Sequence, residues 1–344
     1  MILIVAEHGA KIGKEGERLY VSYPSAEIAR NYVPIIKLEQ LIIESKATLT
    51  SGAIDLLTAN GIPTLFFRGG KPVGILHSYV AHGTVAIRRA QILAYESKLG
   101  TSFIISTLKG AIANKRNLLR RIQKNRQLKP AAETIVKTKI AELEGFLHRD
   151  FSKILNKKIG IIRDTIFAFE GAAADAYFTA LKELISPEFH FFNRNRRPPR
   201  DPMNSMLSYA YSILTMKVLS GVLVAGLEPY AGFLHTDRSG KPSFVLDIIE
   251  EFRQPIVDRL ILRLVGKSEV TPDDFEMQGE FCKIKDTFKK HYLSELIGTF
   301  SRAETNDQTG KTMTFEQHII HQARHAGKFF KGESSEYNPF VLSR

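Results

Sequence analysis

Between Gly226 and Leu260 the chain reads GLEPYAGFLHTDRSGKPSFVLDIIEEFRQPIVDRL. One imidazole, His235, stands before a Gly240-Lys241-Pro242 turn, and an apolar run then carries Asp247, Glu250 and Glu251. A neutral imidazole with carboxylate oxygens is a donor set that suits Mn2+ and tolerates Mg2+. A divalent ion held by a strongly basic chain points to phosphodiester chemistry. Val245, Ile248, Ile249, Phe252 and Ile256 recur at helical spacing and share one face. That places the three acids on the opposite side, where the competing reading is an ordinary solvated acidic face. Pro255 has no N–H and limits or restarts the helix.

Two groups do not make a metal site, and Glu170 is the candidate for a third. It follows an apolar turn, Ile166 to Phe169, and precedes Gly171 and three alanines that let another helix come close. A carboxylate in such a setting needs a partner or a metal. A buried salt bridge to Arg163 or Arg200 would serve equally. Other clusters carry less. His318, His321 and His325 sit at i, i+3, i+7 without an HExxH pattern and read as packing or surface histidines. Ser239-Gly240-Lys241 is only a fragment of a phosphate-binding loop. The single cysteine, Cys282, excludes a disulfide framework and a multi-cysteine zinc site within one chain. It also suits a reducing, cytoplasmic setting.

The elements that must position these residues fall into two textures. The first ~80 residues are β-rich. Strands are predicted at Ile2–Ala6, Arg18–Tyr23 and Leu38–Glu44, with a charged turn over Gly9–Glu17. A short helix covers Ser51–Asn60, and a hairpin joins Ile62–Arg68 to Val73–His77 around Gly69-Gly70-Lys71-Pro72. From Val85 onward helical periodicity dominates, at 85–98, 102–125, 131–157, 160–183, 202–225, 245–264, 271–277, 284–302 and 312–327. The fold class is therefore α+β: a small N-terminal β-domain, residues 1–80, followed by a larger all-helical domain, residues 81–344, with a linker at about 77–84. The start of the chain is apolar for about five residues before it turns charged, which fits neither a signal peptide nor a membrane span.

The formal net charge of the 344 residues is +12. Polyanions, nucleic acid first among them, are the expected partners, and no membrane is. No acid occurs from Ser97 to Ala132, which holds Lys98, Lys109, Lys115, Arg116, Arg120, Arg121, Lys124, Arg126 and Lys129. Arg194, Arg196, Arg197 and Arg200 lie in a loop stiffened by Pro198 and Pro199. Both segments suit phosphate contact rather than base readout.

Three long segments in order, FEGAAADAYF (Phe169–Phe178), RPPRDPMNSMLSYAYSILTMKV (Arg197–Val218) and Gly226–Leu260, together with Gly61-Ile62-Pro63 and Gly69-Gly70, resemble the CRISPR-associated integrase, the larger of the two universal adaptation proteins. The resemblance runs along nearly the whole chain. It implies an N-terminal dimerisation domain, a helical catalytic domain and a homodimer. It further implies that two such dimers flank a dimer of a small ferredoxin-like partner, giving a heterohexamer. The implied activity is metal-dependent integration of short double-stranded DNA at a CRISPR repeat, with nuclease activity at the same site. The implied Mg2+ or Mn2+ ligands are Glu170, His235 and Glu250, with Asp247 a further acid nearby. Members often carry an arginine where Asp175 stands and an acid where Thr236 stands. The competing functions are a structure-selective repair nuclease and a non-catalytic DNA-binding scaffold.

Overall fold

The computed structural model describes residues 1–24, 30–68, 71–76, 78 and 84–343. The chain divides into two compact units, Met1–Val85 and Ala86–Arg344. The expected linker at 77–84 and the Gly69-Gly70 turn fall largely outside the described residues.

The first unit is built from β1 (Ile2–Val5), β2 (Lys11–Glu15), β3 (Arg18–Ser22), β4 (Arg30–Pro34), β5 (Gln40–Ile43), β6 (Thr48–Leu49), α1 (Ser51–Ala59), β7 (Thr64–Arg68) and β8 (Lys71–Leu76). Two four-stranded sheets form, in the orders β1-β5-β7-β8 and β4-β3-β2-β6. Val5, Leu41 and Ile43 from one sheet and Ile12, Leu19 and Val21 from the other share a core with Ala53, Leu56 and Leu57 of α1. Thr50 caps α1 by accepting the Ala53 amide. Strands β2, β4 and β6 are not among the strands expected from the sequence. The charged Lys11–Glu15 segment read as a turn, but it is paired with β3 in register and buries Ile12 and Gly13 in its centre.

The second unit is mostly helical: α2 (Thr84–Tyr95, whose first residues belong to the first unit), α3 (Lys98–Asn125), α4 (Pro130–Leu147), α5 (Ser152–Leu155), α6 (Ile159–Lys182), α7 (Pro202–Val224), α8 (Ser243–Ile248) and α9 (Arg259–Gly266). After these come α10 (Asp286–Phe300) and α11 (Phe315–Phe330). Two hairpins, β9 (Phe275–Gln278) with β10 (Phe281–Ile284) and β11 (Ala303–Thr305) with β12 (Thr312–Thr314), interrupt the helices, so the unit is not wholly helical. The helix predicted at 271–277 is a 3-10 turn at Pro272–Asp274 that runs into β9. Helix α7 is long and apolar enough to cross a membrane by length and composition, and most of it is buried within this unit.

The predicted helix at 245–264 is not continuous. Helix α8 gives way to a 3-10 turn at Ile249–Glu251 and a π-helical turn at Arg253–Asp258 before α9 begins. Pro255 lies inside the π-turn and cannot donate to the carbonyl four residues back.

An aromatic cluster anchors α3 to this region. The Phe103 ring lies 5.3 Å from Phe233, 5.8 Å from Phe244, 5.1 Å from Phe330 and 4.7 Å from Tyr337, centroid to centroid. Phe103 is fully buried. Phe103→Ala is expected to lower the unfolding free energy by about 3–5 kcal/mol in a urea titration. Ile161→Ala, at a side chain 71% exposed, should change it by less than about 0.5 kcal/mol.

Candidate functional site

The loop before α8 is shaped to deliver one imidazole. A Cβ on Gly232 would lie 2.6 Å from the Ser243 Cβ and 2.7 Å from the His235 carbonyl oxygen, so only glycine lets the loop close there. Asp237 accepts the Gly232 amide at 3.1 Å, and Ser243 Oγ donates to the Thr236 carbonyl at 2.8 Å. Asp247, 1% exposed, accepts the amides of Phe233 at 2.6 Å and His235 at 3.1 Å. One of its oxygens also lies 2.7 Å from His235 Nδ1. A proton on Nδ1 is the tautomer this contact favours, which leaves Nε2 with its lone pair. No hydrogen-bond partner for Nε2 is found among the described residues. Asp247 therefore orients the imidazole, and its oxygens are already committed to that task.

The solvated acidic face is not what forms. Asp247, Glu250 and Glu251 are 1%, 5% and 0% exposed. Each has a separate compensation. Glu250 pairs with Arg253 at 3.0 Å. Glu251 accepts from Phe340 N at 2.7 Å, Tyr337 Oη at 2.5 Å and Gln322 Nε2 at 3.0 Å. Arg253 is held in turn over the Tyr211 ring, 5.1 Å from its centroid. Tyr211 and Tyr177 both donate to the buried Asp258, at 2.5 and 2.7 Å.

Glu170, partly buried on α6, faces the same small cavity as Asp247 and Glu250, floored by Ile104, Thr107, Leu108, Ala111 and Leu234. Its volume of about 10 Å3 is close to the minimum that holds one water. No hydrogen bond or ion pair is found for the Glu170 carboxylate among the described residues. The two arginines offered as its salt-bridge partners are used elsewhere. Arg163 donates to Tyr95 Oη and the Phe233 carbonyl, and Arg200 pairs with Glu280. Burial and the charge of Glu250 push the Glu170 carboxyl above its ordinary value, against the pull of Lys115, Arg253 and His235. Burial pushes Glu250 up as well, but Arg253, Lys115, His235 and Arg196 outweigh it and hold the group below its ordinary value. Two acids within one another's field, one charge-compensated and one not, leave a local demand for positive charge.

Among the described residues, no group of three or more His, Cys, Asp or Glu side chains is preset to hold a metal ion. The donor chemistry fits such an ion even so: an unpartnered carboxylate, a second carboxylate occupied by a cation, and an imidazole with a free nitrogen fixed by an acid behind it.

Sequence reading missed several residues here. Arg253 was legible in principle, three positions after Glu250 on a helical stretch. Lys115 was read as part of the basic run, yet it is 3% exposed and its charge acts on Glu170, Glu250 and Asp258. Much of that run is structural. Arg116 and Arg120 pair with Glu144, and Arg126 donates to the Leu262 carbonyl within α9. Lys98, Lys124 and Lys129 remain exposed. In the Arg194–Arg200 loop, Arg194 is folded inward onto Asn195, Asn204 and Ser208, and burial lowers its pKa to about 10. Arg196 and Arg197 stay exposed. Of the three α11 histidines, His318 meets the Glu304 carbonyl and His325 accepts the Asn338 amide, while His321 Nε2 lies 3.1 Å from the Lys311 ammonium at the surface. Burial pushes the Cys282 thiol up to about 11, which makes it a poor nucleophile.

Comparison with known proteins places this architecture. A strand-rich unit followed by a mostly helical unit is shared with a Cas1 protein from Thermotoga maritima, at TM-score 0.71 and 19% identity over all of this chain and 99% of that one. A casposase bound to an integration product superposes at TM-score 0.73 and 21% identity, over all of this chain and 95% of that one. The family described as CRISPR associated protein Cas1 matches residues 3–297. The CRISPR-associated endonuclease Cas1 1 of Archaeoglobus fulgidus is 32% identical over 99% of both chains. The CRISPR-associated endonuclease Cas1 3 of Thermus thermophilus is 30% identical over 99% of this chain and 97% of its own. The chain belongs to the CRISPR-associated Cas1 family, and the two relatives just given are named endonucleases.

Glu251 makes a pH signature available. Burial raises its pKa from 4.5 to about 7, opposed by its three hydrogen bonds. Its folded pKa exceeds the unfolded one, so this group's contribution to stability is complete below about pH 4.5 and is lost as the pH rises through about 7. The loss is on the order of 3 kcal/mol. Urea titrations at pH 5 and pH 8 should show a smaller difference for Glu251→Gln than for the unsubstituted chain.

Proposed function

We propose that this chain is a metal-dependent DNA integrase of CRISPR adaptation, with endonuclease activity at the same site. The observation that carries this reading is the convergence of Glu170, Asp247 and Glu250 on one cavity, beside an imidazole whose Nδ1 is held by Asp247. Glu170, Glu250 and His235 Nε2 would hold one Mg2+ or Mn2+. When bound, that ion supplies Lewis-acid stabilisation of phosphoryl oxygens and favours ionisation of a hydroxyl.

The chain's own residues do the rest. Asp247 keeps the proton on Nδ1 and the ring in one orientation. Arg253 pairs with Glu250 at 3.0 Å and helps hold that carboxylate in its charged form. The exposed Arg196 and Arg197 guanidiniums suit phosphate oxygens, and the field of Arg196 already reaches Glu250. The reaction is a transesterification. A free 3′-oxygen of a short duplex forms a bond to phosphorus at the repeat boundary, the repeat's own P–O3′ bond breaks, and the released 3′-oxygen takes up a proton. One phosphodiester replaces another, so neither ATP nor a covalent enzyme intermediate is needed. Water in place of the 3′-hydroxyl gives hydrolysis.

The casposase relative, described as bound to an integration product, and a solved Cas6-RT-Cas1–Cas2 complex (TM-score 0.76, 20% identity, 36% of that chain) support the DNA and partner parts of the proposal. This chain would work as a homodimer joined through its N-terminal unit, with two dimers flanking a dimer of a small ferredoxin-like partner in a heterohexamer.

In a half-site integration assay with Mn2+, Glu170→Ala, His235→Ala and Glu250→Ala should each lose at least about a hundredfold in strand transfer. Affinity for the DNA, which rests on exposed cations, should stay within about twofold. Near-unchanged strand transfer in any one variant removes that residue from the site.

A further inference from the structure

The turn that presents Glu250 is not supported by a regular helix. In an α-helix the Glu251 carbonyl would accept the amide of residue 255, but that residue is proline. Asn114 of α3 fills the vacancy: its Nδ2 donates to the Glu251 carbonyl at 2.9 Å. The same amide group reaches the end of the chain. Asn114 Nδ2 donates to the Phe340 carbonyl at 2.9 Å, and its Oδ1 accepts the Leu342 amide at 2.7 Å. Asn117, one turn along, donates to the Leu342 carbonyl at 2.7 Å.

The side chain of Glu251 grips the same segment from the other side, accepting the Phe340 amide and the Tyr337 hydroxyl. Packing follows these bonds. The Phe340 ring stacks 5.4 Å from Phe252, and Tyr337 lies 4.7 Å from Phe103. A Cβ on Gly110 would lie 2.6 Å from the Pro339 Cβ, so α3 carries a glycine where the segment crosses it. Tyr337, Phe340, Val341 and Leu342 are all buried. Residues 337–342 are thus a strap, tied to Glu251 by the Phe340 amide and the Tyr337 hydroxyl and to the adjacent Phe252 by the Phe340 ring. The strap lies beyond the part of the chain that the family description matches, which ends at residue 297.

We infer that the strap Tyr337–Leu342, acting through Asn114 and Glu251, is a positioning element that sets the Glu250 carboxylate for the divalent ion. Its catalytic consequence rests on the metal reading given above; its structural coupling to the Ile249–Glu251 turn does not. Asn114 and Glu251 touch neither ion nor DNA and act through Glu250. Other described contacts to the Glu251 carboxylate come only from Gln322 of α11, so release of the strap leaves a buried acid with one donor.

The test uses the full-length chain with Tyr337→Phe, which keeps the ring and deletes the hydroxyl, and Glu251→Ala. Glu251→Gln, whose amide oxygen can still accept the Phe340 amide while its NH2 group donates to the Tyr337 hydroxyl oxygen, is the rescue variant. Hydrogen exchange without metal is followed for residues 249–252 and 337–342, and Mn2+ affinity is measured by calorimetry. In Tyr337→Phe and Glu251→Ala, exchange should accelerate in both segments together, and Mn2+ affinity should fall by roughly 10–100-fold. The KM for DNA should be unchanged while kcat falls, and Glu251→Gln should recover most of both losses. Acceleration confined to 337–342, with Mn2+ affinity within about twofold of the unsubstituted chain, overturns the inference. So does a lowered melting temperature with none of the other changes. If Glu251→Ala does not fold, Tyr337→Phe decides alone. An unsubstituted chain that takes up no Mn2+ sinks the metal reading instead, and the exchange data still decide whether strap and turn are coupled.

Discussion

Three carboxylates within five residues are driven into the interior of the helical unit, and most of the architecture around them answers that one electrostatic demand. A buried charge without a partner is far more costly than any single hydrogen bond can offset. The chain meets the demand in three different ways. Asp247 is wrapped by two amides and an imidazole, Glu250 is matched by a guanidinium, and Glu251 is surrounded by neutral donors. Only Glu170, brought in on a separate helix, is left without a bonded partner among the described residues. The asymmetry makes the cavity between Glu170 and Glu250 a place where added positive charge is welcome, while Asp247 and Glu251 are already satisfied and serve as scaffold.

The backbone carries the same logic. Pro255 interrupts the hydrogen-bond ladder immediately after the acids, and the chain passes from a 3-10 turn to a π-turn before α9 resumes. The irregularity swings Glu250 and Glu251 onto different surfaces, one toward α6 and the cavity, the other toward α11 and the end of the chain. A regular helix would have kept these neighbours about 100° apart on one continuous cylinder with every carbonyl satisfied internally. Here a side-chain amide from α3 is required, and that requirement links a residue in the middle of the chain to its last few residues.

The local parts of this picture were legible in the sequence. The Gly-rich approach to His235, the run of acids and the small-residue stretch after Glu170 each announce themselves by type and spacing. So do most helix limits, because Asp201 before Pro202 and Thr314 before Phe315 are ordinary caps. What escaped depends on distant partners. The acids of 247–251 look like a solvated face because their periodicity is right for one. Nothing local says that α3, α11 and the strap enclose them. Lys115 and Arg116 look like surface charge within a one-sign run, yet their acidic neighbours lie on other elements, as Glu144 does for Arg116. The hairpins β9-β10 and β11-β12 are too short to overcome the helical texture around them.

The placement of cations separates two tasks that a net charge of +12 would otherwise blur. Lys115, Arg194 and Arg253 are enclosed, where a low dielectric magnifies their effect on nearby acids and holds them in fixed positions. Arg196, Arg197, Lys98, Lys124 and Lys129 are exposed, where salt screens them and a polyanion can displace their counterions. Enclosed cations tune the carboxylates in the protein as it stands; exposed ones are open to a polyanionic ligand. Arg196 belongs to both groups, since it is exposed and its field still reaches Glu250.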